Sequence, residues 1–539
     1  FFAPEEMNEM GRLDRRQLLK LGTVGSLAAI APAAAMAVQS DTRVDEHAPV
    51  PQWEVFELAL SGPSAGNPFS DVRLSATFTL EHRTITVDGF YDGEGRYKVR
   101  FMPDTQGGWK YTTQSSAPQL AGSIGRFSCI APLAGSHGPV AVRNGHHFGY
   151  ADGTPFFPFG TTCYAWVHQS EDLQQQTLKT LQTAPFNKIR MCVFPKSYEY
   201  NHNEPPFYPF TRDAAGVSDF TRPNPEFFAH IERRIADLRG MGIEADLILF
   251  HPYDRWGYSS MPAEADELYL RYVLARMSAY RNIWWSLANE YDLMKAKTTQ
   301  DFDRFFQLVQ QYDPAGHLRS VHYSNTMYDY GRSWVTHASL QNSNFDRAEE
   351  WLREWRKPIC FDEVMYEGNL NRRWGNLAGE EMARRFWLGV IAGCYVTHGE
   401  TLLDPHGSLD ESSTPTLWWA HGGKLHGASP ERIAFLRKLV ENTVDDSGPQ
   451  RAGLEALPGA YYLNASVSNS AGKESRAIVY YFDLHQPVFY DFPLPDGKFK
   501  AELIDPWEMK IIPLPGTYTG KTKLKLSGRP FQALRFTWV

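Results

Sequence analysis

Two glutamates that follow apolar segments could together hydrolyse an acetal. Glu290 comes soon after the segment Ile283–Ala288, and Glu363 soon after Pro358–Phe361. Hydrolysis of a glycosidic bond uses one carboxylic acid to protonate the departing oxygen and a second, ionised carboxylate to attack or stabilise the anomeric carbon. The acid needs a raised pKa, which poor solvation or a nearby negative charge supplies. Either glutamate alone could simply favour a helix N-terminus, so the hypothesis depends on the two together.

The region around these glutamates, residues 140–445, alternates short apolar runs with helical periodicity. This pattern is typical of βα units and a parallel sheet. Eight strands fit the span of about 250 residues expected of a (β/α)8 TIM barrel. An open doubly wound sheet is the alternative, but no glycine-rich phosphate loop follows the first strand. The predicted strands are Pro155–Thr161, Lys188–Phe194, Glu244–Phe250, Ile283–Ala288, Arg319–His322, His337–Gln341, Pro358–Asp362 and Gly393–Thr397.

The barrel prediction says where the two glutamates should lie. Active sites of such barrels are found at the carboxyl ends of the strands. Glu290 and Glu363 follow predicted strands four and seven and are 73 residues apart, or three βα units. Strands four and seven face each other across the barrel, so we expect both carboxyl groups in one cleft.

Other polar and aromatic residues follow the predicted strands and are candidates for substrate binding. Arg190 lies within strand two, and because buried arginine is rare unless it is paired, we expect it to contact the nucleophile carboxylate or a substrate hydroxyl. Indole rings pack on the C–H faces of sugars, although core packing is favoured for one of the adjacent Trp418 and Trp419. The alternatives are a structural ion pair for Arg190, core packing for the tryptophans, and a polar residue that is merely hydrogen-bonded for the others. The remaining candidates are His251, His322, Tyr323, His398, Glu400, Trp166 and Trp418.

The barrel region has β-rich flanks. From residue 50 to 135 apolar and polar residues alternate, as in Leu74–Leu80, and glycine-rich turns such as Asp92–Gly95 separate the runs. Alternation of this kind predicts half-buried antiparallel strands and an immunoglobulin-like β-sandwich. Residues 455–539 show a similar pattern and predict a second β-sandwich. We therefore expect a multidomain α/β protein, with a barrel between two sandwiches.

The first 40 residues have the features of an export signal. Arg15 and Arg16 precede a weakly apolar stretch, Leu21–Ala37, which ends in the small residues of a cleavage site. This segment resembles a twin-arginine (Tat) leader, so we expect a periplasmic or secreted protein. A short amphipathic helix in the mature protein is the alternative.

Composition excludes several classes of protein. The 539 residues contain 54 Lys and Arg against 62 Asp and Glu, a net charge of −8 that argues against a nucleic-acid partner. No apolar run is long enough to span a bilayer, and the five cysteines match no zinc pattern. We expect a carbohydrate substrate, no nucleic-acid or membrane partner, no cofactor and no metal. The sequence leaves the oligomeric state open.

The pair Asn289-Glu290 after strand four, with Glu363 after strand seven, resembles the large clan of retaining glycoside hydrolases built on (β/α)8 barrels. That resemblance implies that Glu290 is the acid/base, that Glu363 is the nucleophile and that Asn289 binds the sugar 2-hydroxyl. The whole chain is similar to bacterial proteins with a DUF5060-like immunoglobulin domain, an apiosidase-like (DUF4038-related) barrel and a DUF5605-like β-sandwich. The motifs that carry this are Phe157–Thr162 and Leu503–Trp507.

These observations favour a glycosidase, with two alternatives. The long segment Ser197–Pro225, rich in Pro, Tyr and Phe, is expected to wall a pocket and so to favour exo action, on plant-derived glycans or glycosides. A non-catalytic carbohydrate-binding or adhesion protein is one alternative. A metal-dependent barrel hydrolase is the other, but the first strand has no His-x-His motif. Its candidate ligands would be His251, His322, His337 and His398.

Overall fold

The structure is a computed structural model. Among the helices of the part of the chain that it describes, none is long and apolar enough to cross a membrane. The predicted export leader, residues 1–40, falls outside the described residues. The structure describes residues 44–403, 417–443, 450–451, 460–468, 474–494 and 496–539.

The N-terminal region is an antiparallel β-sandwich, as predicted. Strand Arg83–Tyr91 belongs to both layers, because its first part pairs with Leu74–Leu80 and its last part with Arg96–Phe101. The alternation of the sequence is confirmed, since Ala76 and Phe78 are fully buried between the layers. The strands are Asp45–Glu46, Val50–Pro51, Phe56–Ser61, Leu74–Leu80, Arg83–Tyr91, Arg96–Phe101, Gly107–Ser115 and Ile124–Ile130, with a helical turn at Pro68–Asp71.

Eight parallel strands form the central domain. They are β1 (Phe159–Thr162), β2 (Lys188–Cys192), β3 (Glu244–Phe250), β4 (Ile283–Ala288), β5 (Arg319–Ser320), β6 (Ala338–Leu340), β7 (Ile359–Phe361) and β8 (Tyr395–His398). Their order in the sheet is β5-β4-β3-β2-β1-β8-β7-β6. A bridge between His322 and Ser339 joins the two ends of this order and closes the barrel. The predicted barrel is therefore confirmed.

Helices follow seven of the eight strands and cover the outside of the barrel. Residues 321–337, between β5 and β6, contain no helix. The face of α2 that the sequence predicts to be apolar is fully buried, with Phe227, Ile231, Ile235 and Leu238 each 0% exposed. The helices are α1 (Glu171–Leu181), α2 (Pro225–Gly240), α3 (Ala263–Met277), α4 (Thr299–Tyr312), α5 (Ala348–Trp355), α6 (Gly379–Ile391) and α7 (Ser429–Thr443).

A small antiparallel sheet closes the amino end of the barrel. It contains Val140–Arg143, His147–Tyr150 and Pro155–Phe156, and the ring of Phe148 packs 4.9 Å from that of Trp284. The predicted first strand is thus divided, because its first residues join this sheet and only the remainder joins the barrel. Proline at position 158, which has no N–H to give to a ladder, separates the two parts.

A charged cluster fills the middle of the barrel. The Lys188 ammonium lies 2.9 Å from Asp246 and 2.8 Å from Asp362. Asp362 also accepts hydrogen bonds from Ser339 at 2.6 Å and Thr397 at 2.7 Å. These groups are buried, but each charge has an opposite charge or a hydroxyl beside it, which offsets the cost of desolvation.

The C-terminal region is a second sandwich, as predicted. Its larger sheet has the order 450–451, 460–468, 474–482, 532–538, 499–505 and 510–513. Strands Phe489–Pro493 and Lys521–Lys525 pair in a separate layer. Phe492, Phe499 and Phe536, each 0% exposed, lie between the layers.

Paired charges join the N-terminal sandwich to the barrel. Arg100 of the sandwich lies 2.8 Å from Glu232 on α2. Arg276 on α3 lies 2.5 Å from the same carboxylate and 2.7 Å from Asp92 of the sandwich. Arg100, Glu232 and Arg276 are at most 8% exposed, so separation of the two domains would break these contacts and expose buried charges.

Candidate active site

Glu290 follows β4 and is held by three side chains. The Tyr253 hydroxyl and the Asn289 amide, at 3.2 Å, donate to its Oε2, and the Gln341 amide donates to its Oε1 at 3.3 Å. Its backbone is left-handed, with φ 49° and ψ 54°, a conformation that non-glycine residues adopt at a cost. The site therefore holds this carboxyl group in one position, at 7% exposure.

Glu363 follows β7 and faces cations. Its Oε1 accepts a hydrogen bond from the Tyr164 hydroxyl and lies 3.8 Å from the guanidinium of Arg190. The same hydroxyl lies 2.9 Å from Asn289 Oδ1, and Arg190 donates to that oxygen at 3.3 Å. A continuous polar chain therefore links Glu363, through Tyr164 and Asn289, to Glu290.

Burial and mutual repulsion govern the ionisation of the two glutamates. Desolvation, followed by the negative charge of Glu290, raises the pKa of Glu363 well above its ordinary value, while Arg190, Tyr164 and Lys196 oppose this rise. Two carboxyl groups that face each other in a buried site are unfavourable when both carry a charge. The arrangement therefore favours one carboxylic acid and one carboxylate.

Both carboxyl groups face one cavity of about 490 Å³. This volume lies within the range of small-ligand sites, about 300–1,000 Å³. The lining side chains come from loops at the carboxyl ends of seven strands, all but β5, which is where barrel enzymes bind their substrates. They are Tyr164, Lys196, Tyr198, Glu199, Tyr200, Tyr253, Asn289, Glu290, Gln341, Asn342, Ser343, Glu363, Val364, Met365, Tyr366, Trp374 and Trp419.

Comparison with known families finds a match in each region. Residues 142–443 match the catalytic domain described as apiosidase-like. The chain belongs to the apiosidase-like family. Residues 49–116 match the domain of unknown function DUF5060, and residues 467–537 match DUF5605. The resemblance drawn from the sequence is thus confirmed, and this apiosidase-like chain is a glycosidase.

Solved structures agree with this assignment. A candidate glycoside hydrolase from Bacteroides vulgatus is 37% identical, with a TM-score of 0.84 over 92% of this chain and 100% of that one. A family 5 glycoside hydrolase from the same organism is 15% identical, with a TM-score of 0.57 over 75% of this chain and 93% of that one, and it shows the shared fold alone. Comparison with curated proteins finds no match.

Several predicted site residues lie in or directly behind the cavity of this apiosidase-like barrel. Asn289, Glu290 and Glu363 line it. Arg190, 0% exposed, lies behind it and contacts Glu363, which is the first of the two contacts that the sequence predicts. His322 is also fully buried, with Nε2 3.9 Å from Glu363, and desolvation lowers the pKa of its ring well below the usual value.

Tyr323 and His251 lie one layer further from the cavity. The Tyr323 hydroxyl accepts a hydrogen bond from the Asn342 amide at 2.7 Å, so it supports a lining residue. His251 Nε2 donates to the Phe194 carbonyl at 3.1 Å. Both side chains are buried, at 6% and 2% exposure, and neither lines the cavity.

The structure corrects the prediction for the two tryptophans. Trp166 is fully buried in the core, and Trp418 is 1% exposed and donates to Thr161 Oγ1 at 2.8 Å. Neither reaches the cavity, whereas the adjacent Trp419 lines it. The two indoles belong to a helical turn, Trp418–His421, in which successive side chains point in different directions.

The structure also corrects the predicted roles of His398 and Glu400, which lie outside the cavity. His398 stacks 4.8 Å from Phe186. Glu400 accepts hydrogen bonds from two backbone N–H groups, of His426 at 2.7 Å and Gly427 at 2.8 Å. Residues 400–401 pair with residues 367–368 in a two-stranded parallel sheet. Glu400 is held there, outside the lining of the cavity.

Potential metal ligands come together at one place in the described residues. Ligand atoms of Glu367, His398 and Glu400 lie within 4.8 Å of one another. However, both oxygens of each carboxylate already accept N–H or hydroxyl groups from residues 426–429. The carboxylates therefore fasten this segment to the barrel. Within the described chain, His251, His322 and His337 belong to no such group.

The sequence analysis missed most of the aromatic residues and the lysine that line the cavity. Tyr164, Lys196, Tyr253 and Gln341 each lie one to four residues beyond the end of a barrel strand. A search for all polar and aromatic residues at these positions, rather than for ionisable ones that end a strand, would have found them.

Proposed function

We propose that the chain is a retaining, exo-acting glycosidase in which Glu363 is the nucleophile and Glu290 is the acid/base. The observation that carries this proposal is that the two carboxyl groups, distant in sequence, face the same cavity and interact electrostatically. A single proton on the pair is the state that double displacement requires.

In the first step, a Glu363 oxygen attacks the anomeric carbon and the bond to the leaving oxygen breaks. Glu290 transfers its proton to that oxygen, which leaves as an alcohol. In the second step, Glu290 takes a proton from water while the water oxygen attacks the anomeric carbon and releases Glu363. Each glutamate then returns to its initial state.

The surroundings of the two carboxyl groups favour this division of roles. Arg190 and the Tyr164 hydroxyl stabilise negative charge on Glu363. Desolvation and then the charge of Glu290 raise the pKa of Glu363, so a proton on Glu290 removes the second cause and favours negative charge beside these groups. Glu290 contacts neutral amides and a phenol, which suit a group that alternates between acid and base.

Asn289 is proposed to bind the sugar 2-hydroxyl. Its amide lies between the two glutamates, with Nδ2 3.2 Å from Glu290 and Oδ1 2.9 Å from the Tyr164 hydroxyl. A hydroxyl next to the anomeric carbon would lie in the same region. Hydrogen bonds to this hydroxyl strengthen in the transition state and contribute several kcal/mol in such enzymes.

The rim of the cavity supports exo action. Glu199, after β2, pairs with Arg372, after β7, at 2.9 Å, and this bridge joins two loops beside the lining residues. Trp374 and Trp419, with ring centroids 5.0 Å apart, form an aromatic wall. A bridged rim and an aromatic wall suit the terminal sugar of a plant-derived glycan. The description apiosidase-like places apiosides first among the substrates to test.

A substrate screen followed by stereochemical analysis tests the proposal. Chromogenic glycosides, including apiosides and other furanosides, would identify the sugar, and NMR of the first-formed anomer should show retention. A 2-fluoro glycoside of that sugar should label Glu363, seen by peptide mass analysis. Glu226→Gln, at an exposed position on α2, is the matched control for Glu290→Gln and Glu363→Gln. Inversion, or full activity in both active-site variants, would refute the assignment.

The leader carries a separate proposal, which is export of the folded protein. Replacing Arg15 and Arg16 with lysine should retain the protein in the cytoplasm, as measured by cell fractionation. Unchanged export of the variant would argue against a twin-arginine signal.

A further inference from the structure

Lys196 is a buried cation in the wall of the active-site cavity. It is 2% exposed and follows β2. Its ammonium lies over four aromatic rings, at 3.7 Å from the centroid of Tyr164, 4.3 Å from Tyr253, 4.6 Å from Tyr198 and 5.6 Å from Trp419. Within the described chain, no carboxylate or carbonyl oxygen lies within hydrogen-bond or ion-pair distance of this ammonium. Cation–π contacts take their place.

The two nearest rings are those that hold the glutamates. Tyr164 donates its hydroxyl to Glu363, and Tyr253 donates its hydroxyl to Glu290. The ammonium therefore lies between the two hydrogen-bonded arms of the site. The Ser197 N–H donates to the Tyr253 carbonyl at 2.9 Å, which fixes the lysine loop to the loop that carries one of these tyrosines.

We propose that Lys196 is a positioning residue that keeps the glutamate pair in its singly charged state and strengthens the tyrosine hydroxyls as donors. This inference rests on the proposed roles of Glu290 and Glu363. Its basis is geometric: one fixed positive charge is packed on the faces of both phenols that contact the carboxyl groups. A cation on a phenol face withdraws electron density from the ring, which makes the hydroxyl a better donor.

The charge state of Lys196 depends on the two glutamates. Burial lowers the pKa of Lys196, and the charge of Arg190 lowers it further, whereas Cys192, Glu290 and Glu363 raise it. A doubly charged glutamate pair would have two anions in a buried site, and a neutral pair would leave Lys196 without a nearby carboxylate, whereas Arg190 would keep Asp246 at 3.7 Å. The singly charged pair avoids both extremes. The titratable groups that face the ammonium are Tyr164, Arg190, Cys192, Tyr198, His251, Tyr253, Glu290, His322 and Glu363.

Removal of this charge has a predictable sign. A positive charge favours the ionised form of a nearby carboxyl group, and Lys196 lowers the pKa of Glu363 in this way, so its loss raises that pKa. Ionisation of the site should then occur at higher pH. We expect the bell-shaped pH profile of kcat/KM to move upward by about one pH unit in Lys196→Met, since nearby opposite charges shift carboxyl pKa values by about 1–3.

The experiment compares pH profiles on one aryl glycoside that the parent enzyme hydrolyses. Lys196→Met, or Lys196→Gln if the methionine variant does not fold, should show the upward shift. Lys196→Arg retains the charge and should keep the parent profile. The exposed Lys179→Met is the matched control. An unmoved profile in the neutral variants would overturn the inference, and if KM alone rises, Lys196 binds substrate directly instead.

The outcome is distinguishable from failure of the proposed function. If Glu290→Gln and Glu363→Gln remain active, the catalytic assignment itself is wrong. If they are inactive but the profiles of the neutral Lys196 variants stay in place, only the role of Lys196 is refuted.

Discussion

Two buried lysines only eight positions apart differ in how their charges are neutralised. One lies in the middle of the barrel and the other at its upper level, in the wall of the cavity. Lys188 lies in the middle of the barrel, 1% exposed, with two aspartates within 2.9 Å, and these carboxylates raise its pKa. Lys196 lies in the cavity wall, 2% exposed, surrounded by aromatic rings, and its pKa is lowered. The middle level is internally neutralised, whereas the upper level leaves polar groups available to a ligand.

Adjacent residues of β7 and its loop repeat the contrast. Asp362 faces Lys188, Ser339 and Thr397, and its cationic neighbours hold its pKa well below the ordinary value. Glu363, the next residue, faces the cavity, and burial together with Glu290 raises its pKa. One carboxylate thus stabilises the fold, while the other costs stability and is available for catalysis.

The largest effect should come from Glu363→Gln. We expect kcat to fall by roughly a thousandfold or more, because an amide cannot form the glycosyl intermediate. The melting temperature should stay the same or rise, since a carboxylate with a raised pKa opposes folding when ionised. Kinetics on an aryl glycoside and thermal unfolding at pH 7 check the two parts. A large fall in melting temperature would contradict the conclusion that Glu363, unlike Asp362, costs stability.

Lys188→Met should be the most damaging change to stability. It leaves two buried aspartates without their shared cation, which costs about 3–5 kcal/mol for broken buried pairs. Lys196→Met breaks no ion pair and should change the free energy of unfolding by much less. Chemical denaturation of both variants makes the comparison, and equal losses would contradict it.

Tyr253→Phe should lower kcat/KM by about ten- to a hundredfold, because it removes one hydrogen bond to a charged group, worth about 1.5–3 kcal/mol. Steady-state kinetics on the same aryl glycoside measure the loss. Tyr198→Phe is the matched control, because the Tyr198 hydroxyl has no hydrogen-bond partner among the described residues. Equal effects of the two variants would mean that the hydrogen bond from Tyr253 to Glu290 contributes nothing to catalysis.

The smallest effect should come from Arg372→Ala at the cavity rim. Its bridge to Glu199 is half exposed, and exposed pairs contribute about 0–1 kcal/mol. We expect KM to rise a few-fold with kcat nearly unchanged, measured on the same aryl glycoside. Arg347→Ala, which breaks an exposed pair outside the lining of the cavity, is the control. A fall in kcat instead would place Arg372 in the catalytic step.

The sequence predicts the barrel and its two glutamates because both depend on local pattern. Glu290 and Glu363 come directly after strands whose apolar runs are easily read, and strand order alone brings them to one end of the barrel. Arg190 could be placed beside Glu363 for the same reason, since a charge inside an apolar strand needs a partner.

The remaining residues depend on contacts that no local pattern encodes. Trp419 rather than Trp418 lines the cavity because the short helical turn that carries both directs Trp418 towards Thr161 of β1. Glu400 lies outside the cavity because its loop pairs with residues 367–368. Lys196 follows a proline in a loop that lacks strand periodicity, and only the packed rings around it show its surroundings.

The arginine clusters between the N-terminal sandwich and the barrel have a practical consequence. Anyone who trims this enzyme to residues 140–445 for crystallisation or engineering would strip Arg100 and Asp92 from Glu232 and Arg276. In the excised domain, the charged side chains of Glu232 on α2 and Arg276 on α3, which are buried in the full chain, would be exposed to solvent. Redesign of this scaffold should therefore keep the N-terminal sandwich attached, or replace Glu232 and Arg276 together.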